Sequence, residues 1–554
     1  MEDSTDMDQE LSASQTASQT SNLSPSPSGK PRAAVLMIQG TASDVGKSLV
    51  TAAIGRLMTR DGYRTAPFKS QNMALNSYVT EDGKEIGRAQ GMQAEAFGIA
   101  ATTDMNPILL KPSGEMSAQI VVHGVPHAAL SAREYREKFL PEARGTVMAA
   151  LERLRASYEA VLIEGAGSPA EINLKANDIV NMNLAGWADA PVLLVADIDR
   201  GGVFAFIVGT LELLEPHERQ RVRGFIINKF RGDLSLLQPG LDWLEQRTGI
   251  PVLGVLPFLP QLRIEAEDSV VLEGTPGTRQ QGDGKELDIA VIHYPRISNF
   301  TDFDPLADEP DTAVRYVSRA EELGSPDVIL LPGTKNTAAD LRYLREQGFP
   351  AAITAALKDG AHQLVGICGG YQMLGVKLLD PDAVESSEPG ESAGLGYLPL
   401  STVFLPDKTT VRVSGSLAAD HPLRLGGGAR AATAELGVSG YEIHMGATSN
   451  LGADAVRSLF RLKGADGELQ PEGWGTLDGK IWGTYLHGLF HNDGLRRAWL
   501  DGLRVSKGLK PLESTFSAAA AREREFDRLA DAVSEHLNMQ AIYEIMGLQK
   551  TEER

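Results

Sequence analysis

The chain contains one cysteine, Cys368, in the run Gly366-Ile367-Cys368-Gly369-Gly370-Tyr371, after an apolar segment and ahead of a helical one. Glycines beside a nucleophile permit a tight, strained turn, and the N-terminus of a following helix favours a thiolate. In such a turn the N–H of Gly369 points toward a developing oxyanion. Gly333, in Leu331-Pro332-Gly333-Thr334-Lys335 after another apolar run, is the candidate second donor, because a backbone N–H approaches closely at glycine. A thiol nucleophile also needs a base. His487, in Gly483-Thr484-Tyr485-Leu486-His487-Gly488, is the first candidate, and His444, in Gly440-Tyr441-Glu442-Ile443-His444-Met445-Gly446, is its rival. The ordinary fate of a free cysteine is that of a small buried hydrophobe, and the flanking glycines argue against that here.

A second chemistry is written earlier in the chain, in Gly40-Thr41-Ala42-Ser43-Asp44-Val45-Gly46-Lys47-Ser48. A glycine-rich turn between a strand and a helix holds phosphates with backbone N–H groups and the helix dipole, with Lys47 on the outer phosphates and Ser48 on a magnesium ion. The usual spacing would place the first glycine at position 41, where Thr41 stands, so this loop is one residue longer than the common form. ATP is the expected nucleotide. Glu164, just past an apolar run in Ile163-Glu164-Gly165-Ala166-Gly167, is a candidate magnesium ligand, since ligands collect at strand ends in open parallel sheets. Asp44 is a further candidate metal ligand or a plain turn residue. Asn228 and Lys229, after another strand run, are candidates for contact with the base.

Both sites require a scaffold of parallel strands. From residue 33, short β-branched runs alternate with helical stretches, the pattern of a parallel sheet covered by helices. Strands are expected at residues 33–38, 160–163, 192–196, 224–227 and 252–255. The helix after the glycine-rich turn buries one face through Val50, Ala53, Ile54, Leu57 and Met58. Residues 274–286 are polar, glycine-rich and without periodicity, as in a linker. A second α/β series follows, with strands at 287–293, 328–331, 364–367 and 481–486. The expected division is a tail at 1–31, an ATP-dependent domain at 32–273, the linker at 274–286, a cysteine-bearing domain at 287–500 and a helical extension at 501–554. In the last, Phe526, Leu529, Ala530, Val533 and Leu537 form one apolar stripe, the mark of a packing helix. The fold class is therefore α/β, with two doubly wound domains.

The chain's 554 residues allow two to four domains at about 100 to 200 residues each. With 53 basic and 73 acidic residues the net charge is -20, which repels nucleic acid. One cysteine permits no intramolecular disulfide and suits a reducing compartment. Residues 1–31 are polar and match neither a secretory nor a transit signal, and no apolar run approaches the roughly 20 residues needed to span a bilayer. The expectation is a cytoplasmic protein with no nucleic-acid or membrane partner.

The segments around Cys368 and His487 resemble the class I glutamine amidotransferases, and the first half, with its lengthened phosphate loop, resembles the dethiobiotin synthetase group of P-loop enzymes. In this order in one chain they are similar to the cobyric acid synthase family and to its relatives the cobyrinate a,c-diamide synthases. Lys69-Ser70-Gln71-Asn72-Met73-Ala74-Leu75-Asn76-Ser77, Asn106-Pro107-Ile108-Leu109-Leu110-Lys111-Pro112, residues 294–306 and residues 441–446 favour the former. The resemblance implies a flavodoxin-like glutaminase domain in which Cys368 attacks glutamine and His487 is the base. It implies that ATP and magnesium activate carboxylates as acyl phosphates for attack by ammonia. The implied substrate is adenosylcobyrinic acid a,c-diamide, amidated at its b, d, e and g carboxylates; the polar stretch at 69–77 suits contacts to such a ligand. A rival reading is a P-loop partition or switch protein with a glutamine-sensing domain. One departure bears on mechanism: class I members carry glutamate two residues after the histidine, where this chain has Leu489, so no local acid orients His487. The third member of the site stays unassigned, and the base is expected to be poorly held until ligands bind.

Overall fold

The computed structural model describes residues 32–549, apart from 115–116, 261, 265–284, 361, 387, 427–435, 453, 465–466 and 513–515. The expected tail lies outside the described residues, as does the expected linker except for Lys285 and Glu286.

Six parallel strands make the first sheet, in the spatial order Val252–Pro257, Val222–Phe230, Val192–Asp197, Ala34–Gly40, Ala160–Glu164 and Thr65–Phe68. Their side chains are buried on both faces, which explains why the runs read as continuously apolar instead of alternating. The Ala34–Gly40 strand has neighbours on both sides that come later in the chain, so its C-terminal end opens into the crevice where ligands settle in such sheets. Beyond it lies the helix Lys47–Arg60, which buries Val50, Ala53, Ile54, Leu57 and Met58 as its periodicity requires. A separate four-stranded sheet of Gln71–Met73, Ile108–Gly114, Ser117–Val122 and Val125–Ser131 stands beside this domain.

In the second domain five parallel strands run in the order Thr312–Val317, Leu287–Ile292, Val328–Leu331, Gln363–Ile367 and Ile481–Thr484. By chain order this is 2-1-3-4-5, the flavodoxin-like winding. Antiparallel strands extend the sheet past Ile481–Thr484, the longest being Leu400–Leu417 paired with Gly437–Asn450. Each strand expected from the sequence is found within three residues of its expected limits.

The C-terminal segment does not stand apart. Position 500 falls inside the helix Asp493–Ser506, so the expected border between second domain and extension cuts a single element. The helices Ala518–Ser534 and Met539–Met546 return to the first domain, where Phe526, Leu529, Ala530, Val533 and Leu537 join the core on one face of its sheet. Arg56 and Arg60 of the phosphate-loop helix pair with Asp527 at 2.8 Å and 2.7 Å.

A hairpin of residues 77–87 links the domains. Its strands Ser77–Val79 and Glu85–Gly87 pair antiparallel, and Arg412 of the second domain donates to the Val79 carbonyl at 2.6 Å. Glu85 is 1% exposed and lies between Lys111 of its own domain and Lys408 of the other. Burial works against its charge, but the two ammonium groups outweigh that and hold its carboxyl well below the usual range. The same burial lowers Lys408 to about 8.

Candidate active sites

Cys368 closes the strand Gln363–Ile367 and begins the short helix Gly369–Leu374. Its backbone sits at φ 50°, ψ -107°, a conformation that a side chain adopts only when its surroundings impose it. The surroundings do: Cys368 N–H donates to the Thr484 carbonyl at 2.8 Å, and a Cβ on Gly370 would stand 2.0 Å from the Leu331 carbonyl oxygen. The result is a strained elbow at the C-terminal edge of the sheet.

His487 follows the neighbouring strand Ile481–Thr484 and is 0% exposed. Its main chain exchanges bonds with Tyr441, whose ring stacks on the imidazole at 5.1 Å. Nδ1 donates to Asp302 Oδ2 at 2.6 Å, and the other carboxylate oxygen accepts the Gly488 N–H at 3.0 Å. With Nδ1 so engaged, Nε2 is the ring nitrogen left for the hydrogen bond to the Cys368 thiol. Burial lowers the imidazole's proton affinity, but the charge and hydrogen bond of Asp302 together with the contact to Cys368 raise its pKa to about 10. The expectation that no acid orients this histidine is thus corrected: Asp302 does so, from a segment far away in sequence. A poorly held base is equally excluded by these contacts.

Gly333 lies against the same ring, where an added Cβ would be 3.2 Å from His487 Cε1, and it pairs with Ser298. Gly369 follows the thiol directly and packs on Thr334. The two candidate oxyanion glycines therefore flank the Cys368–His487 pair. His444 is engaged elsewhere, with Nδ1 2.8 Å from the Gly446 carbonyl and its ring stacked on Tyr485 at 3.7 Å.

At the other site the loop from Gly40 to Ser48 wraps the end of its strand, with Thr41 N–H on the Val195 carbonyl at 2.9 Å. Gly46, at φ 94°, caps the helix in the left-handed region, and a Cβ there would lie 2.3 Å from Asn228 Nδ2. Asn228 donates to the Val45 carbonyl at 2.8 Å, and Lys229 Nζ to the Asp44 carbonyl at 2.6 Å. Both residues thus brace the loop. Lys47 Nζ bridges the Ala42 and Gly167 carbonyls at 2.9 Å and 3.1 Å. Ser48 Oγ donates to Glu164 Oε1 at 2.8 Å.

Glu164 is 1% exposed and also accepts from Lys69 at 3.0 Å and Gln93 at 2.6 Å. Burial opposes its ionisation, yet Lys69 and these hydrogen bonds keep its pKa lowered. Asp44 is exposed in the loop at φ 58°, while Ser48 and Glu164 meet beneath it. The residues fit a magnesium nucleotide: a cradle too tight for a Cβ, a lysine held on carbonyls it can exchange for phosphate oxygens, and hydroxyl and carboxylate oxygens of the kind magnesium takes. Among the described residues no group of three or more His, Cys, Asp or Glu side chains forms a self-sufficient metal cage. That is the usual situation for magnesium held chiefly by phosphates and water.

An open cleft of about 560 Å³ adjoins this loop. Met73, Leu110, Ile120, Leu130, Tyr135 and Leu140 give it an apolar wall, and the segment Ala166-Gly167-Ser168, which also meets Lys47, forms its floor. Asn181 lines it, donating to the Ala166 carbonyl at 2.7 Å while its buried Oδ1 has no hydrogen-bond partner among the described residues. Of the polar stretch at 69–77, Gln71 and Met73 line the cleft, Lys69 turns to Glu164, and Ser77 turns to the second domain.

Sequence reasoning missed Asp302, Gln93 and Asn299 as site residues, and gave Lys69 as part of a ligand-contacting stretch, not as the partner of Glu164. Asp302 lay within the 294–306 segment that had been singled out, yet no local pattern connects it to a histidine 185 positions away.

Taken together, a flavodoxin-like domain with a cysteine elbow and a P-loop domain define a nucleotide-dependent glutamine amidotransferase. Family models agree: residues 36–271 match the CobQ/CobB/MinD/ParA nucleotide binding domain, and residues 288–495 the CobB/CobQ-like glutamine amidotransferase domain. The cobyric acid synthase of Desulforamulus reducens is 52% identical over 93% of this chain and 98% of its own length. That of Sorangium cellulosum is 51% identical over 94% and 99%, and that of Geobacillus kaustophilus 49% over 93% and 98%. The chain belongs to the cobyric acid synthase family. No helix among the described residues is long and apolar enough to cross a membrane.

Proposed function

We propose that this chain amidates the b, d, e and g carboxylates of adenosylcobyrinic acid a,c-diamide, using glutamine as nitrogen donor and ATP with magnesium as activator. The observation that carries this reading is the presence, in one chain, of the Cys368–His487–Asp302 set and the Lys47–Ser48–Glu164 set.

In the second domain Asp302 holds the His487 ring through Nδ1 and raises its basicity, so the Cys368 proton settles on Nε2 as a thiolate–imidazolium pair. The thiolate attacks the glutamine side-chain amide, and Gly333 and Gly369 serve the oxyanion. His487 then returns its proton to the departing ammonia, and water releases glutamate.

In the first domain Lys47 and the loop N–H groups orient the nucleotide, and Ser48 and Glu164 hold magnesium. Bound ATP supplies the phosphoryl group that makes a carboxylate oxygen a good leaving group. The cleft beside Gly167 seats the substrate: its apolar wall suits the face of a macrocycle. Mass spectrometry of products made from the a,c-diamide with glutamine, ATP and magnesium tests the reading. Four acid-to-amide conversions are expected. Conversion of only the a and c groups of the unamidated acid would instead identify an a,c-diamide synthase.

A further inference from the structure

Asn299 connects the two sites. It is 4% exposed and held at φ 53°, in the left-handed region that few side chains occupy without support. Its Oδ1 accepts the backbone N–H of Ser77, from the interdomain hairpin, at 3.0 Å. That bond settles which end of the amide is oxygen. The Nδ2 end therefore faces His487, 3.5 Å from Nε2. With Nδ1 committed to Asp302, Nε2 is the atom that must receive the Cys368 proton. An amide N–H aimed at Nε2 opposes the transfer of the thiol proton to that atom.

The hairpin that carries Ser77 is anchored at both ends to one carboxylate. Lys69 shortly before it and Gln93 shortly after it both bond Glu164, at 3.0 Å and 2.6 Å. A magnesium nucleotide that draws on Glu164 competes with both anchors. The far side of the hairpin is gripped by the second domain through Arg412 on Val79 and Lys408 on Glu85.

We propose, building on the function given above, that Asn299 is a positioning residue through which ligand binding at Glu164 controls the availability of His487 Nε2. Loosening of the Lys69 and Gln93 bonds moves the hairpin, Ser77 withdraws from Oδ1, and the Asn299 amide swings off the imidazole. The thiol proton then passes from Cys368 Sγ to Nε2, leaving thiolate and imidazolium with no other reactant. A bond as long as 3.5 Å is weak and therefore reversible, as a coupling element requires.

The test measures glutamate release by the wild-type chain, Asn299→Ala and Asn299→Asp, each with and without ATP, magnesium and the a,c-diamide. In the wild type the ligands should accelerate release by roughly 5- to 150-fold, the range of ordinary coupling between sites. In Asn299→Ala the rate without ligands should rise toward the stimulated wild-type rate and the ratio fall to about one. The acid limb of kcat/KM for glutamine should also move to higher pH, because a donor opposing protonation of Nε2 has gone and the imidazole keeps its proton to higher pH. Asn299→Asp keeps the acceptor for Ser77 and loses the donor, so it should behave likewise and carries the test if the alanine variant does not fold. Amidation from ammonium salts, which bypasses the thiol, reports the integrity of each variant. A wild-type ratio of one, a variant ratio equal to that of the wild type, or equal slowing in both states with an unmoved pH profile overturns the proposal. Absence of amidation from either nitrogen source in the wild type would overturn the proposed function instead.

Discussion

Asp302 and His487 are 185 residues apart in the chain and 2.6 Å apart in the fold, the carboxylate accepting the imidazole Nδ1 proton. The acid completes the site from a 3-10 turn that precedes the helix Asp304–Asp308. Asp302→Asn should therefore reduce glutamine-dependent amidation by roughly 100-fold or more, by loosening the ring and favouring the wrong tautomer. Ammonium-dependent amidation should persist. Wild-type use of glutamine by this variant would remove Asp302 from the mechanism.

The same pair makes stability depend on pH. The His487 pKa rises from 6.5 to about 10 on folding, so its stabilisation is full below about pH 6.5 and is lost as pH climbs through about 10. The wild type should lose more of its denaturation midpoint than Asp302→Asn does between about pH 6 and about pH 10.5. Parallel losses in urea titrations at the two pH values would contradict the assignment.

Cys368→Ala should abolish glutamate release and glutamine-dependent amidation while ammonium salts still yield product. Lys47→Ala should abolish amidation from both nitrogen sources, because carboxylate activation at the phosphate loop is needed whatever supplies the ammonia. Product assays with each nitrogen source separate the two outcomes, and glutamine use by the first variant or amidation by the second would refute the corresponding role.

Glu164→Gln retains the shape of the side chain and removes the charge shared with Ser48 and Lys69. The magnesium concentration needed for ammonium-dependent amidation should rise on the order of 10-fold or more. An unchanged magnesium titration would leave Glu164 a structural anion only.

Met73 is 57% exposed on the cleft wall, so a substitution there tests the cleft without disturbing the core. Met73→Glu should raise KM for the corrinoid by roughly 10-fold, through lost apolar contact and repulsion of its carboxylates. KM for ATP should stay as it was. An unaltered corrinoid KM would place the substrate elsewhere.

Much of this was legible in the chain because it depends on local pattern. Continuous apolar runs mark strands buried on both faces, and Gly46-Lys47-Ser48 and Cys368-Gly369-Gly370 sit at the strand ends where such turns must be. What escaped depends on distance. Leu489 was read as a missing acid; in the fold it is 2% exposed and packs in the core, and that is possible because the carboxylate arrives from Asp302 on another element. The pairing of Lys69 and Gln93 with Glu164 was equally silent, since a buried amine and amide acquire meaning only from the carboxylate they meet. The apolar stripe from Phe526 to Leu537 announced a packing helix, and nothing in its own residues says that its partner is the first domain.

That return of the last helices to the first domain constrains how the molecule can be made. The helix beginning at Lys47 gains its cover from Phe526, Leu529 and Val533, which leave the ribosome only after the whole glutaminase half has been synthesised. Until then the nascent first domain carries an open apolar face. Its completion therefore waits on the second half, and the two catalytic halves reach maturity together even though each has a sheet of its own.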